Sequence, residues 1–455
     1  MLARRADAAV VGRLIQKESE AFRARTPQSY HLLERARHSL PLGVPSSFQD
    51  YPPYPLYVRK AIGARIWDVD DNEYVDFHLG FGALAAGHSH PKLVEVLRRR
   101  VAEGTMYAMP CEEAVLLAEE LCRRFGIDQV RFCNSGTEAT MDAVRLARGA
   151  TGRDLLVKIE GSYHGHHDYL MVSVKPGPDE LGPREHPASV PFSKGIPAAV
   201  AAMTLVVPYN DPDALARVLD ENAGRVAALI MEPVMMNIGI VHPAPGYLQA
   251  VRRITQEHDV VLIYDEVKTG VTIAPGGACE RFGVQPDLVC LAKSIGGGVP
   301  VGAFGGRREL MDLIRPGEVQ HLGTFNGNPL AMDAGIGTLT EILTAEAYKQ
   351  FEEQQERLVS GCREIIERHE LPMYATGLGA KGCVMFAPEP LSDYRDYMKI
   401  DKDLAYAHWL YLMNRGIFMP PGLDEQWTLC VQHTDPDIDA HLAVFEEFAR
   451  DVTAA

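Results

Sequence analysis

Apolar positions in the middle of the chain switch repeatedly between two periods. Residues 114–125 and 139–151 repeat them at the spacing of a helix with one buried stripe. Residues 129–134, 155–159 and 227–231 are instead short apolar runs of strand length, as are Val261 to Tyr264 and Leu288 to Cys290, which have no helical period. Such alternation predicts an α/β fold, a mostly parallel sheet with helices on both faces.

The flanks read differently. Residues 7–25 carry Val10, Val11, Leu14 and Ile15 on one stripe and predict a helix, and 30–40 predict a second. The proline-rich PLGVPSSFQDYPPYP excludes regular structure. Residues 57–77 alternate as strands about a turn at Asp71-Asn72, and Pro91 opens a helix. After Asn328 the alternation stops. A long helix with a junction near Thr344 is expected over 330–356 and beyond. A smaller α+β unit follows, with strands near 382–386 and 427–431 and helices at 402–413 and 435–452. The implied division is an N-terminal segment, 1–75, that joins the small domain; a large domain, 76–330; and a small domain, 331–455. Residues 174–196 are rich in Pro and Gly without periodicity, which predicts a mobile lid.

Composition narrows the classes. A 455-residue chain with 46% hydrophobic residues has material for two or three units and a sizeable core. A net charge of −16 argues against nucleic acid and anionic membrane surfaces as partners. The eight cysteines are scattered without a CxxC pair, as expected of reduced thiols in a cytoplasmic protein. No run approaches the roughly 20 apolar residues of a membrane span, and the N-terminus lacks a signal-peptide core.

The chemistry centres on residues 262–298. Asp265 ends one apolar run and Lys293 follows another, just before Gly296, Gly297 and Gly298. Strand ends are where open α/β sheets collect chemistry. A lysine there loses solvation, which frees its amine for imine formation, and an acid nearby suits a pyridinium nitrogen. Pyridoxal phosphate (PLP) uses that pair. A surface lysine and a turn-capping aspartate remain the alternative at this point. Ser135-Gly136-Thr137, between a strand and a helix, offers N–H groups and two hydroxyls to a phosphate, or is an ordinary helix cap. Tyr163 in Gly161-Ser162-Tyr163-His164-Gly165 is placed to stack on a flat ring. His164, His166, His167 and Asp168 could instead suggest a metal site, but no second cluster supports one, and none is expected. Glu232 brings a carboxylate to another strand end, or ends it with a turn. The glycines do not fit GxGxxG, which argues against a dinucleotide fold.

Taken in order, NSGTEATMDAVRLARGATGRD, GSYHGHHD, MEPV, LIYDEVKTG, GVQPDLVCLAKSIGGGVPVGAFGGRRELMD and GTFNGNPLAM resemble the class III (ω) aminotransferases of PLP fold type I. The similarity is closest to the glutamate-1-semialdehyde 2,1-aminomutase branch. It implies a seven-stranded, mostly parallel large domain with a smaller α+β domain, and PLP as cofactor. By the resemblance Lys293 carries the Schiff base and shuttles a proton, and Asp265 pairs with the ring nitrogen. Tyr163 and Val267 cover the ring faces, with His164 and Glu232 beside them. Ser135, Gly136 and Thr137 hold the phosphate, completed by Thr324 of a partner subunit, which implies a homodimer. Ser46, Ser47, Gln49 and Phe81 are the expected substrate positions. Relatives carry a carboxylate-binding arginine where Gln49 aligns, or for β-amino acids where Ser47 aligns; this chain has neither. DEVMTGFR is changed to DEVKTGVT, with Lys268 and Thr272. Lys268, though strand alternation points it away from the ring, and Arg59 and Lys60, nearby in sequence, are the cations that could substitute. The expected activity is amino transfer from an amine or (β-)amino acid to a keto acid or aldehyde. The alternatives are intramolecular transfer on glutamate-1-semialdehyde, another PLP reaction such as racemisation, or a PLP-binding protein without catalysis.

Overall fold

The apolar runs pair into one seven-stranded sheet in the computed structural model, which describes residues 7–422 and 426–454. Its strands are β1 (Gln129–Cys133), β2 (Leu155–Ile159), β3 (Thr204–Val207), β4 (Val226–Met231), β5 (Val261–Asp265), β6 (Leu288–Leu291) and β7 (Gly302–Gly306), in the order β1-β7-β6-β5-β4-β2-β3. Strand β7 is antiparallel to both neighbours and the remaining pairs are parallel. Strands β4 to β7 are buried at every position, which explains the unbroken apolar runs of β4 and β6.

Neither β3 nor β7 was expected from the sequence. Glycine is a poor strand former, so GAFGG reads as a loop. Its glycines are there for close approach: a β-carbon on Gly302 would lie 2.4 Å from the Ser135 carbonyl oxygen, and one on Gly306 would lie 2.0 Å from that of Asp287. Helix α1 (Gly136–Thr151) lays Ala139, Ala143, Val144 and Ala147 on Ile230, Ile263, Cys290 and Phe304 of the sheet. The small residues let helix and sheet approach, and each fully buried Leu, Ile or Val there is worth about 1.5–3 kcal/mol.

The sheet belongs to a unit built from Pro91–Tyr348 and Leu391–Met398. Residues 174–196 hold no helix or regular strand within it, only turns and a bridge between Val172 and Pro191. Arg395 donates to the carbonyls of Leu181 and Pro183, both at 3.3 Å, and the Tyr394 hydroxyl donates to that of Pro176 at 2.9 Å.

The second unit comprises residues up to His90, Lys349–Pro390 and the chain from Lys399 onward. Its first helix, Ala8–Arg25, is capped by Asp7 and packs against Lys402–Asn414. Strands Val58–Ile62, Arg65–Asp68 and Glu73–Asp76 form an antiparallel sheet extended by Ile417–Phe418, and Tyr374–Leu378, Lys381–Met385 and Trp427–Thr428 form another. The second helix is Pro27–Ala36 rather than 30–40, because Pro27 presets the helical φ at its first turn. The strand at 427–431 is only Trp427–Thr428.

The long helix after Asn328 is divided between the units. In the sheet-bearing unit Pro329–Ile336 runs into a wide turn, Gly337–Ile342, that ends at Leu343. The helix Ala345–Arg368 then begins, so the break falls at the predicted junction.

Leu79, Gly80, Phe81 and Gly82 have φ of 45°, 61°, 56° and 81°, one turn of left-handed backbone. Each non-glycine there costs about 1–3 kcal/mol unless its surroundings enforce it. Asp76 does so by accepting from the His78 and Leu79 N–H groups at 2.8 and 2.9 Å.

Candidate active site

The parallel strands deliver their C-terminal residues to one edge of the sheet. Asp265 is the last residue of β5 and pairs with Cys290, so Lys293 follows β6 three positions past that register. Met231 pairs with Tyr264, which sets Glu232 beside Asp265. Tyr163 and His164 leave the end of β2, and α1 begins where β1 stops. Five segments far apart in sequence therefore converge because their strands run in one direction.

Asp265 is 5% exposed. Its Oδ2 lies 2.7 Å from Nδ1 of buried His164, and its Oδ1 accepts from the Val267 N–H at 3.0 Å. A carboxylate has about four acceptor directions, so Asp265 keeps capacity for a further donor. Glu232 accepts from the Met236 N–H through Oε2 (2.9 Å), while its Oε1 and the His164 Nε2 are buried without a hydrogen-bond partner. Burial pushes the Glu232 carboxyl up; His164 opposes the shift and Asp265 adds to it. Burial likewise raises the Tyr163 phenol, with Asp265 adding to the effect. Lys293 is half-buried and opens a tight turn with φ of +51°, the kind of backbone strain that gathers at functional sites.

The start of α1 has the groups an anion site needs. Ser135 is the N-cap, and its Oγ accepts from the Glu138 N–H at 3.2 Å. The first-turn N–H groups have no acceptor within the helix, and its dipole adds positive potential. Gly136 lets the loop pack closely on Val267: a β-carbon there would lie 3.1 Å from both Val267 methyls, which would have to shift. Thr137 Oγ1 lies 3.0 Å from His166 Nδ1, and a β-carbon on Gly165 would lie 2.7 Å from the Thr137 Cα. Phosphate loop, His164 loop and Val267 thus pack as one wall.

Thr324 is exposed between exposed Leu322 and Phe325, on a turn tied to Asn134 by Asn326 at 3.0 Å. Ser46, Ser47, Gln49 and Phe81 belong to the other unit. The first three are exposed around the tight turn Ser47–Gln49, and Phe48 meets Phe81 with ring centroids 6.0 Å apart. Arg59 pairs with Asp71, and Lys60 lies over the Trp67 ring at 4.1 Å. Lys268 is buried and donates to the Met236 carbonyl at 2.7 Å. Glu266 is also structural: it caps Gly277–Phe282 by accepting from the Ala278 and Cys279 N–H groups. Of the histidine cluster, His166 faces Thr137 and His167 faces Thr140. Among the described residues no group of His, Cys, Asp and Glu could hold a metal ion, and no helix is long and apolar enough to cross a membrane.

Sequence reading missed Lys158. It sits inside the run LLVKI and is 0% exposed, with Nζ donating to the carbonyls of Ser162 (2.8 Å) and Val172 (2.5 Å). The available signal was a lone charge within a five-residue apolar strand, which demands buried partners.

A mostly parallel sheet with a strand-end aspartate, a lysine on a strained turn and a phosphate cradle defines a PLP-dependent transferase site. The chain belongs to the class-III aminotransferase family, whose profile matches residues 47–402. It is 42% identical to a glutamate-1-semialdehyde 2,1-aminomutase of Methanothermobacter thermautotrophicus, over 92% of this chain and 98% of that protein. A glutamate-1-semialdehyde aminomutase from Pseudomonas aeruginosa in complex with PMP superposes with a TM-score of 0.90 at 29% identity, covering 99% of this chain and 100% of that one. An ω-transaminase from Sphaerobacter thermophilus does so at 0.88 and 35% identity, covering 94% and 98%. The enzyme's cofactor is PLP, and the residues present fit it: the N–H groups and hydroxyls at the start of α1 suit a phosphate, and Asp265 suits a protonated ring nitrogen.

Proposed function

We propose that this aminotransferase works through Lys293 and Asp265 and transfers an amino group from an amine or β-amino acid to a keto acid or aldehyde. The observation that carries this reading is the 2.7 Å contact between Asp265 and buried His164, beside the Gly136–Val267 wall. Bound PLP supplies an electron sink for the bond broken at the substrate carbon. Asp265 holds the ring nitrogen's proton, and His164 and the Val267 N–H fix its carboxylate. Ser135, Gly136 and Thr137 hold the phosphate, Tyr163 and Val267 cover the ring, and Glu232 stands behind His164. The Lys293 amine holds the cofactor and moves the proton at the substrate carbon.

The choice of donor rests on Ser46, Ser47, Gln49 and Phe81. These positions present neutral polar groups and an aromatic pair, and the side chains of Arg59 and Lys60 are engaged with Asp71 and Trp67. The strained turn at Phe81 supports a functional role there. The working unit is a homodimer: Thr324 lies between Leu322, 82% exposed, and Phe325, 58% exposed, a surface suited to a second copy of the chain.

Intramolecular transfer on glutamate-1-semialdehyde is the second reading, favoured by the 42% identity to an aminomutase. The test compares turnover of glutamate-1-semialdehyde without acceptor against a panel of amines and β-amino acids with pyruvate or 2-oxoglutarate. Faster turnover of the semialdehyde than of every donor reverses the order of the two readings.

A further inference from the structure

The neck of the loop that carries Tyr163 and His164 is closed by a single buried lysine, Lys158. Residues 160–173 leave the end of β2 and return, and Gly161 donates its N–H to the Ser173 carbonyl at 2.9 Å. Next to that contact the Lys158 amine bridges both limbs, donating to the Ser162 carbonyl at 2.8 Å and the Val172 carbonyl at 2.5 Å. Ser162 is held again by its own hydroxyl, which donates to the Ile159 carbonyl at 2.6 Å. The next residues are Tyr163 and His164, and His164 reaches Asp265 at 2.7 Å. Burial pushes the Lys158 amine down to about 7, and Glu232, itself 3% exposed, opposes that shift. An amine inside a buried strand is costly to leave without acceptors, and two carbonyls facing an apolar replacement would be stranded.

We propose that Lys158 is a positioning residue that staples the 160–173 loop and thereby sets Tyr163 and His164 for the cofactor before the cofactor binds. It rests on the reading of Tyr163, His164 and Asp265 as cofactor residues. The side chain is fully buried and its hydrogen bonds go to main-chain carbonyls, so it acts through the backbone of Ser162. The geometry assigns it an effect on the orientation and affinity of PLP, beyond any effect on folding.

The test titrates PLP into the cofactor-free full-length chain and records the dissociation constant and the circular dichroism of the bound cofactor. Lys158→Met and Lys158→Gln are compared with Asp287→Asn. Asp287 is a buried acid that binds Arg252 and the Leu262 N–H near the opposite ends of the strands. Lys158→Met is expected to raise the dissociation constant at least tenfold and to halve the induced dichroism. Lys158→Gln, which keeps amide donors, should lie between it and wild type. Asp287→Asn should leave both readouts within twofold even as its melting temperature falls. PLP binding by Lys158→Met within twofold of wild type, or an equal loss in Asp287→Asn, overturns the proposal. Should the methionine variant not fold, hydrogen exchange of the wild-type cofactor-free chain decides. Amides 163–166 should exchange as slowly as those of β2, and exchange at free-peptide rates overturns the staple. A wild-type chain that does not bind PLP sinks the parent reading, whereas equal binding by wild type and Lys158→Met sinks this inference alone.

Discussion

Mild acid should unfold the unit that lacks the large sheet, and three histidines set the size of the effect. His408, His433 and His441 are buried, and burial pushes them down to about 3, about 4 and about 3. Asp437 and Asp76 pull His433 back up and Arg65 pushes it down, while His433 depresses His441 and His441 depresses His408. Packing enforces neutrality. The His433 ring stacks on Phe77 at 4.6 Å and its Nδ1 accepts from the Cys430 N–H at 3.0 Å, which a protonated nitrogen cannot do. The His441 ring meets Phe77 at 5.1 Å and Trp427 at 5.7 Å. The unfolded chain binds protons at these rings near pH 6.5 and the folded chain does not. Stability is therefore fully present above about pH 6.5 and falls as pH drops towards the folded values. At pH 5 each ring costs about 2 kcal/mol, from 1.5 pH units at 1.36 kcal/mol, and three cost about 6. That rivals a whole domain's stability of about 5–15 kcal/mol. The lowered carboxyls of Asp76 and Asp437 act only below about pH 4, so the window from 6.5 to 5 isolates the histidines.

The assay is urea unfolding followed by tryptophan fluorescence at several pH values. All three tryptophans, Trp67, Trp409 and Trp427, lie in this unit, so the signal reports it alone. The urea midpoint should fall steeply between pH 7 and pH 5, and His441→Phe should remove about a third of the slope, near 2 kcal/mol at pH 5. An unchanged midpoint across that range would refute the reasoning.

Further outcomes concern the active site. Lys293→Ala should abolish turnover and leave PLP bound without a covalent link, as judged by its release on desalting; full activity in this variant would remove the assignment. Asp265→Asn should retain PLP and lose at least tenfold in rate, about 1.4 kcal/mol of barrier, and a smaller loss would exclude the pyridinium role. Residues 174–196 should act as a lid, with backbone amides that exchange more slowly once substrate is bound; identical exchange with and without substrate would count against it.

The pattern of apolar runs revealed five of the seven strands, β1, β2 and β4 to β6, because buried parallel strands announce themselves; the short edge strand β3 did not. Strand β7 stayed hidden since its glycines are chosen for backbone clearance, a tertiary demand that propensity does not encode. Lys293 and Asp265 were legible as a strand-end pair, and Ser135 to Thr137 as a strand-to-helix turn. The contact of His164 with Asp265 was not, because which strands lie side by side is decided by sheet order rather than by chain order. Lys158 was hidden for a related reason: its partners are main-chain carbonyls, which leave no residue-type signature. The left-handed turn at Leu79 to Gly82 likewise contains two residues that do not favour such backbone, and only Asp76 beneath it explains them.

Overall similarity and local chemistry point to different donors, and energetics decides how much weight each carries. Lys293, Asp265 and the phosphate cradle serve intermolecular and intramolecular transfer equally, so identity spread over the chain reports the shared machinery. On the proposed reading, donor choice turns on a few residues in the Ser47–Gln49 turn and at Phe81. A guanidinium facing a substrate carboxylate is worth about 1.5–3 kcal/mol, against about 0.5–1.5 for a neutral donor such as Gln49. The difference, about 1–2 kcal/mol, corresponds to roughly 5- to 30-fold in kcat/KM at a single position. On the proposed reading a carboxylate donor loses that factor, whereas an uncharged amine does not. Two positions are then enough to move preference by an order of magnitude while leaving 42% identity to an aminomutase untouched.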